Sequence, residues 1–266
     1  MPQQSYGELE FVDASLGGTH TLALSKQGTI FGMGCNFDSQ LGLGVGNIDI
    51  PYPILSVKER GVSGLTDADK FTFTSIAASD HFSAAVSSDG RVWTWGAGYN
   101  GELGLFHTTL CEVPTEAHSN VILPLGGAID VAIGRSFTLV LTKEGKVVVW
   151  GQLRPGCGGG PSAHILDVPM EVTGIACNKQ GAIVTDGEQL WRVSSGTPTT
   201  WRVAGGAQQS SSGALVWPMK DFNETHLGIR KVAAGGNSFG LITDKGELWM
   251  WGELIGSTEP GSVAVA

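Results

Sequence analysis

The sequence predicts an all-β protein built from repeated, four-stranded antiparallel sheets. Three observations support this prediction. A polar turn followed by a strand with an aromatic residue recurs five times along the chain, and in four copies a glycine closes the strand. Each copy follows a short run of small residues, and several copies precede a proline-flanked run. Finally, 40 of the 266 residues are glycine, and few long runs of helix-forming residues occur.

The clearest copy of the recurring segment is Asp89–Gly96. Gly90 supplies the positive φ that a tight hairpin turn requires. Trp93 and Trp95 are two residues apart, so both side chains point to the same face of a strand. We therefore interpret this segment as a turn followed by the third strand of a sheet, which Gly96 ends.

The same register holds in the other copies. Each of the five units has a turn glycine, and in four units a second glycine stands six residues later. The turn glycines are Gly28, Gly90, Gly145, Gly187 and Gly246, and the closing glycines are Gly34, Gly96, Gly151 and Gly252. The strands are thus constant while the connections vary in length, as surface loops do.

Each unit is expected to contain four strands. An inner strand of small residues, such as Ser75–Ala78, comes first, and a second strand follows the step at His81. The aromatic strand is third. A proline-flanked strand, such as Val168–Val172 or Ser262–Val265, closes the unit as an edge. Small inner residues suit sheets that converge on an axis, so the units predict the blades of a β-propeller.

One propeller domain is expected over residues 1–266. The repeats span about 12–55, 74–125, 129–172, 172–219 and 229–266. A degenerate sixth unit is an open alternative within residues 201–219, where Val203–Gly206 resembles an inner strand and Ala214–Trp217 an outer one.

The repeat motifs resemble those of a known family. Gly17–Leu24, Asp89–Gly96 and Gly42–Gly44 are similar to the repeat of the regulator of chromosome condensation family, in fixed order along the chain. The resemblance implies a β-propeller, usually of seven blades, whereas five repeats are recognisable here. In family and size the chain is also similar to the α-tubulin-suppressor type of relative.

Composition restricts the classes of partner. The formal net charge is −9 and no basic run occurs, so neither nucleic acid nor an anionic membrane is expected as the main partner. No apolar run is long enough for a transmembrane helix.

The four cysteines are widely spaced, so no metal or other cofactor is expected. The N-terminal segment resembles neither a secretory nor a mitochondrial signal, which predicts a cytoplasmic or nuclear location.

One repeat position, between the first and second strands, is polar and variable. It lies at a mouth of the predicted ring, and variable polar residues on a constant frame are typical of a binding face. The candidate partner-binding residues there are Thr19, Asp80, His81, Arg135, Asn178 and Asn237. The family resemblance implies that Asp80 and His81 engage a small GTPase; the alternative is that they form a solvated turn.

Other conspicuous side chains have a structural explanation. His20 and His81 occupy equivalent places, which favours hydrogen bonds that lock one blade to the next over catalysis or metal binding. The tryptophans of the third strands are expected to pack between blades rather than to form a ligand cage; they are Trp93, Trp95, Trp150, Trp249 and Trp251. Trp201 and Trp217 fall outside the repeat frame and are candidates for contact with a partner.

Two connections differ from the rest. Gly156–Pro161 is glycine-rich but lacks the lysine and the following helix of a phosphate-binding loop, so it predicts a flexible connection. Val57–Phe73 is a longer, charged insertion, which we interpret as a loop that contacts a partner.

The sequence favours a non-enzymatic function, because it contains no recognisable hydrolytic, redox or metal-dependent motif. We expect a protein-interaction module or assembly subunit whose partner is another protein, either a small GTPase or a subunit of a complex. The alternative is a guanine-nucleotide exchange factor for a small GTPase. A third hypothesis is an enzyme inhibitor, similar to the secreted propellers that inhibit β-lactamases, but the sequence shows no secretion signal.

Overall fold

Five antiparallel sheets form the blades of a β-propeller, which confirms the predicted all-β fold and the count of five repeats. The structure is a computed structural model that describes residues 9–44, 46–106, 109–153, 160–179, 181–194, 208–209, 215–218, 223, 226, 228–252 and 263–265.

The first two blades have four strands each. Blade 1 comprises β1 (Phe11–Leu16), β2 (His20–Ser25), β3 (Ile30–Gly34) and β4 (Ile48–Pro53). Between the blades lie β5 (Ser56–Val57), β6 (Thr66–Asp67) and a 3₁₀ helix over Ala68–Lys70. Blade 2 comprises β7 (Phe73–Ala78), β8 (Phe82–Ser87), β9 (Val92–Ala97) and β10 (Leu110–Ala117). A short helix α1 (Ser119–Ile122) and a 3₁₀ turn over Leu123–Leu125 then lead to blade 3.

Blades 3 and 5 follow the same four-stranded order, whereas blade 4 has five strands. Blade 3 comprises β11 (Ala128–Ile133), β12 (Phe137–Thr142), β13 (Val147–Gly151) and β14 (Gly160–Ile165). Blade 4 comprises β15 (Gly174–Asn178), β16 (Gly181–Thr185), β17 (Leu190–Ser194), β18 (Gln208–Gln209) and β19 (Leu215–Pro218). Blade 5 comprises β20 (Ile229–Gly235), β21 (Ser238–Thr243), β22 (Leu248–Gly252) and β23 (Val263–Val265). In the described residues no helix has the length and apolar character needed to cross a bilayer.

The turn between the second and third strands is built alike in several blades. Its glycine has a positive φ, which is +82° at Gly90 and +68° at Gly145. A hydroxyl at the end of the second strand accepts a hydrogen bond from the backbone N–H that starts the third: Thr142 Oγ1 accepts from Lys146, and Thr243 Oγ1 from Glu247, both at 3.1 Å. These threonine hydroxyls therefore satisfy backbone N–H groups at the point where the hydrogen bonding between the two strands ends.

The hydrophobic core lies between blades. Leu22 of blade 1 shares a buried cluster with Trp95 of blade 2, and Phe137 of blade 3 shares another with Ile175 of blade 4. A third cluster joins blades 4 and 5. The inner strands contact one another in the order β1, β7, β11, β15, β20. A single sheet cannot bury both of its faces, so each blade depends on its neighbours.

The third-strand tryptophans lie within these contacts. Trp93, Trp95 and Trp150 are fully buried, Trp251 is buried and Trp249 is partly buried. The ring of Trp93 contacts Phe71 edge-on, with centroids 4.7 Å apart. A ligand cage would need accessible ring faces, and the buried rings do not offer them.

The closing strand of blade 3 was predicted wrongly. Val168–Val172 is not a strand; β14 instead covers Gly160–Ile165 and pairs with β13, with His164 opposite Val149. The backbone N–H of Val172 donates to the Gly145 carbonyl at 3.0 Å, which ties the later segment to a turn. Pro169 lacks the N–H that a ladder requires, so this segment serves as the connection to blade 4.

The described part of residues 201–219 belongs to blade 4. β19 pairs with β17 and β18 pairs with β19, so both strands extend an existing sheet rather than start a sixth blade. Ala214–Trp217 thus overlaps an outer strand, as its pattern predicted. Val203–Gly206 lies outside the described residues.

The Val57–Phe73 insertion is ordered along the outer edge of blade 2, so its interpretation as a simple loop was wrong. β5 pairs with β6, and Lys58 bridges in parallel to Thr115 of β10. Arg91 anchors the insertion by an ion pair with Glu59 at 2.9 Å, and it also pairs with Glu116 of β10 at 3.4 Å. The backbone of Lys58 donates to Pro114 and accepts from Glu116, so the insertion pairs with part of the outer edge of blade 2.

Blades 1 and 5 each expose an apolar position that is buried in the second blade. Phe11 is 43% exposed, whereas Phe73, which occupies the same register in blade 2, is 3% exposed. Ile242 of blade 5 is 37% exposed, whereas its counterpart Val86 is fully buried. These positions are buried elsewhere because another blade covers them.

Replacing Trp95 by alanine is expected to lower the free energy of unfolding by roughly 3–5 kcal/mol, because a fully buried indole would leave a cavity. Urea unfolding followed by far-UV circular dichroism measures the change. The matched control is Tyr99→Ala in the same blade, where the side chain is exposed and a change within about 0.5 kcal/mol is expected. Equal effects of both substitutions would contradict the assignment of Trp95 to the core.

Candidate functional site at the mouth of the central cavity

A cavity of about 230 Å³ lies where the inner strands of all five blades end. Each blade contributes the end of its first strand and the start of the following loop. Glycines form much of the lining: Gly17, Gly18, Gly134, Gly235 and Gly236. The side chains of Asp80, Cys177, Asn178 and Lys179 supply most of its chemical character.

Hydrogen bonds tie the loops of the mouth to one another. The Gly18 N–H of blade 1 donates to the Ser79 carbonyl of blade 2 at 3.2 Å. Ser79 Oγ in turn donates to the Gly134 carbonyl of blade 3 at 2.7 Å. On the other side, the Lys179 N–H of blade 4 donates to the Gly236 carbonyl of blade 5 at 3.1 Å. The mouth is therefore a backbone frame shared by consecutive blades.

One ion pair crosses this frame. Lys179 Nζ lies 2.9 Å from Asp80 Oδ2, so blade 4 is joined to blade 2, and blade 3 lies between them. The side chains are 49% and 25% exposed, respectively. We refer to this contact as the cross-mouth ion pair. Asp80 was predicted to be a partner-binding residue, and in this structure its carboxylate is paired with the ammonium group of Lys179.

A second layer of contacts surrounds the mouth. His81 Nδ1 lies 2.7 Å from Asp38 Oδ2, which connects blade 2 to the loop that follows β3. At the equivalent place one blade later, Asn100 Nδ2 donates to Ser136 Oγ at 3.4 Å. The loops after the third strands thus open on the same side of the ring as the mouth, and each is held on the next blade.

The predicted partner-binding residues fall in three groups. Asp80 and Asn178 line the cavity, and the exposed His81 lies beside it. Thr19 accepts a hydrogen bond from Gln40 Nε2 at 3.3 Å, and Arg135 is exposed next to the loop at Gly134. Asn237 is half-buried in the turn after β20, directly after the cavity-lining Gly236. Trp217 is in β19, and Trp201 lies outside the described residues.

Three residues on this side of the ring had not been predicted as site residues. Lys179 was not predicted because the variable repeat position of blade 4 was assigned to Asn178, one residue earlier. Phe37 is 84% exposed and Tyr99 is 75% exposed. Both stand three residues after a closing glycine, so alignment of the repeats by Gly34 and Gly96 would have found them.

A contact beneath the mouth locks blade 1 to blade 2. Trp95 Nε1 and Ser83 Oγ both donate to the backbone carbonyl of Gln40, each at 2.8 Å. His20 Nε2 lies 2.7 Å from Ser83 Oγ. Since the single hydroxyl proton of Ser83 goes to Gln40, His20 donates through Nε2. We call the hydrogen bonds to this carbonyl the interblade lock.

The interblade lock recurs one blade later. Trp150 Nε1 and Thr138 Oγ1 both donate to the Glu102 carbonyl, again at 2.8 Å. Gln40 and Glu102 each precede Leu-Gly, and the glycine lies against the indole of the locking tryptophan. The sequence motif therefore encodes a polar contact between blades.

Burial controls the titration of two histidines. Burial lowers the pKa of His20 to about 4, although the nearby Asp80 carboxylate acts in the opposite direction. Burial likewise lowers the pKa of His118, whose ring lies 4.8 Å from that of Trp150, to about 4. Both imidazoles are therefore neutral at neutral pH, as expected of packed side chains rather than of catalytic bases.

The thiol that lines the cavity is not activated. Burial raises the pKa of Cys177 well above its ordinary value. Within the described part of the chain, no three His, Cys, Asp or Glu side chains are grouped as metal ligands. The mouth thus offers charge and surface for binding rather than a nucleophile paired with a base.

Family models match this architecture. The model of the Regulator of chromosome condensation (RCC1) repeat matches residues 89–141, and a second model of the same repeat matches residues 11–40, 73–102 and 128–158. These segments coincide with blades 1 to 3. The protein is a five-bladed β-propeller, and its first three blades carry repeats of the regulator of chromosome condensation (RCC1) type.

Curated relatives carry the same repeats in longer chains. The mitochondrial RCC1 domain-containing protein RUG3 of Arabidopsis thaliana is 29% identical over 88% of this chain, which corresponds to 40% of that protein. The probable E3 ubiquitin-protein ligase HERC6 of Homo sapiens is 32% identical over 56% of this chain and 14% of its own. This chain thus spans less than half the length of either relative.

Solved structures share the fold. Human WBSCR16 matches the whole of this chain and 69% of its own, with a TM-score of 0.75 and 21% identity. Yeast RCC1 (Prp20), solved with Kap60 bound, matches 91% of this chain and 70% of its own, with a TM-score of 0.55 and 17% identity. The blade arrangement is therefore that of known propellers with these repeats.

Removal of the Ser83 hydroxyl should weaken the interblade lock. We expect Ser83→Ala to lower the free energy of unfolding by roughly 1–3 kcal/mol, because two buried hydrogen bonds are lost. Ser88→Ala, at an exposed position of the same blade, should be neutral within about 0.5 kcal/mol. Chemical denaturation compares the two variants, and a neutral Ser83→Ala would contradict the lock.

Acid should destabilise the fold through the buried histidines. Between pH 6.5 and about 4 the unfolded chain binds a proton that native His20 excludes, so the free energy of unfolding falls as the pH falls. Across this pH range, burial of His20 should lower the free energy of unfolding by roughly 3 kcal/mol, and His118 should contribute a similar amount.

Urea unfolding at about pH 7 and about pH 5 tests this pH dependence. The His20→Asn variant should lose less stability between the two pH values than the wild type does, by roughly 2 kcal/mol. His81→Gln, which changes an exposed histidine, should keep the wild-type difference. A wild-type pH dependence in the His20 variant would show that burial of His20 is not its cause.

Proposed function

We propose that this protein is a non-enzymatic interaction module that binds another protein through the mouth side of its propeller. One observation supports this proposal most directly. Two exposed aromatic side chains lie on the mouth side, on loops that hydrogen bonds hold to the neighbouring blade. Phe37 and Tyr99 are held on loops whose next residues, Asp38 and Asn100, bond to the following blade.

Exposed aromatic side chains on a rigid frame suit protein recognition. Phenylalanine and tyrosine bury a large area when a partner covers them, and few rotamers are lost. Ordered loops also reduce the entropy that association costs. Arg135 and the cross-mouth ion pair add a polar rim around these anchors, as in many protein interfaces.

Comparisons are consistent with a protein partner. Yeast RCC1 (Prp20) was solved with Kap60 bound, although this likeness by itself supports only the fold. HERC6 is a probable ligase, but the part matched here is a small share of that protein. We propose a cytoplasmic or nuclear location, while the RUG3 relative is named as mitochondrial.

Affinity purification from native lysate, with quantitative mass spectrometry, tests the proposal. Wild-type protein should retain a stoichiometric protein partner, and the Phe37→Ser/Tyr99→Ser double variant should retain at least about tenfold less, which corresponds to about 1.4 kcal/mol. Tyr52→Ser is the matched control, since Tyr52 is an exposed aromatic on the outer strand β4 and should not matter. A partner held equally by the double variant would refute binding at the mouth.

A second candidate function is guanine-nucleotide exchange on a small GTPase. The Asp80–His81 pair at the mouth favours it, since the family resemblance implies that such residues engage a GTPase. An exchange factor acts by binding the nucleotide-free state more tightly than the loaded state. Release of a fluorescent guanine nucleotide from a GTPase panel should be accelerated by the wild type and less by Asp80→Ala. No acceleration over spontaneous release would eliminate this candidate.

A further inference from the structure

We propose that the cross-mouth ion pair is an autoinhibitory contact. Lys179 occupies the carboxylate of Asp80 and spans the mouth of the central cavity until a basic side chain of a partner takes its place. This inference goes beyond partner binding in general, because it specifies an internal competitor and the chemistry that displaces it.

The topology of the contact supports this role. The other side-chain contacts described around the mouth, such as His81 with Asp38 and Ser79 with Gly134, join consecutive blades. The cross-mouth ion pair instead passes from blade 2 to blade 4. It therefore spans the opening, whereas contacts between neighbours lie along its rim.

The charges of the lining determine what can replace Lys179. Among the residues that line the cavity, Asp80 is the one carboxylate and Lys179 the one cation. The Ser79 hydroxyl donates its proton to the Gly134 carbonyl. The Asp80 carboxylate is therefore the group of the lining that would accept a charged donor from an entering side chain. A planar guanidinium offers a carboxylate two parallel N–H donors, while the Lys179 ammonium binds as a point charge. An arginine side chain is thus the chemically favoured replacement.

The contact is weak enough to exchange. About half of the Lys179 side chain and a quarter of the Asp80 side chain are in contact with solvent. Ion pairs at such exposure are screened by salt and are held by flexible side chains. The surrounding backbone hydrogen bonds do not depend on the pair, so the mouth can open while the blades stay in place.

Cys177 provides a reporter of opening. It lines the cavity two residues before Lys179 and is partly buried. Desolvation raises the pKa of the thiol, so reaction with N-ethylmaleimide should be slow while Lys179 spans the mouth. Cys111 is buried in the core near the outer strand of blade 2 and reports global loosening. Peptide mass spectrometry measures the alkylation rate of each cysteine separately.

Removal of either charge should open the mouth. We expect Lys179→Gln and Asp80→Asn to raise the alkylation rate of Cys177 by roughly three- to tenfold without changing that of Cys111. The charge-exchanged double variant Asp80→Lys/Lys179→Asp should restore slow alkylation, because it restores the pair. Lys245→Gln, at an exposed turn of blade 5, is the control and should react as the wild type does.

A competing cation should act in the same way. L-arginine amide should accelerate alkylation of wild-type Cys177 more than NaCl at equal ionic strength does, and it should have no such effect on Asp80→Asn. Equal alkylation of the wild type and both single variants would overturn the autoinhibitory contact. An arginine effect no larger than that of NaCl would overturn the proposed replacement of Lys179. These results do not depend on capture of a partner, so they can fail separately from the proposed function.

Discussion

The structure depends on a backbone carbonyl that is satisfied from the neighbouring blade. Gln40 lies in a loop that the next blade buries, and an unpaired carbonyl there would cost the desolvation of a polar group. Trp95 and Ser83 each donate a hydrogen bond to it. The same tryptophan also fills the hydrophobic interface between blades. Trp95 therefore both fills the apolar interface and donates a hydrogen bond to a buried carbonyl. This explains why tryptophan and not another large residue stands in this strand.

The interblade lock also separates the frame of the ring from the loop residues at its mouth. The frame of the ring is held by backbone and buried side chains, so the loop residues above it are not needed for folding and are free to differ between blades. Phe37, Tyr99 and Arg135 project from this frame. Asp80 and Lys179 meet above it, although their blades are not neighbours. Rigid support and variable polar groups together make a surface suited to recognition.

The ends of the blade series differ from its middle. Phe11 and Ile242 occupy register positions that are buried in the interior blades, yet both are exposed. The insertion held by Arg91 has the opposite effect, since it covers the outer edge of blade 2 with residues of this chain. The end blades thus expose apolar positions that the interior blades bury.

The sequence by itself determined the local features of this protein. The turn at Gly90, the strand that follows it and the five repeats could be read directly, because backbone preference and strand alternation act over a few residues. Only the tertiary structure decided that Lys179 meets Asp80, that Val168–Val172 connects blades and that the Val57–Phe73 insertion pairs with the edge of blade 2. Those outcomes depend on which residues of separate blades lie opposite each other, and local periodicity carries no information about that pairing.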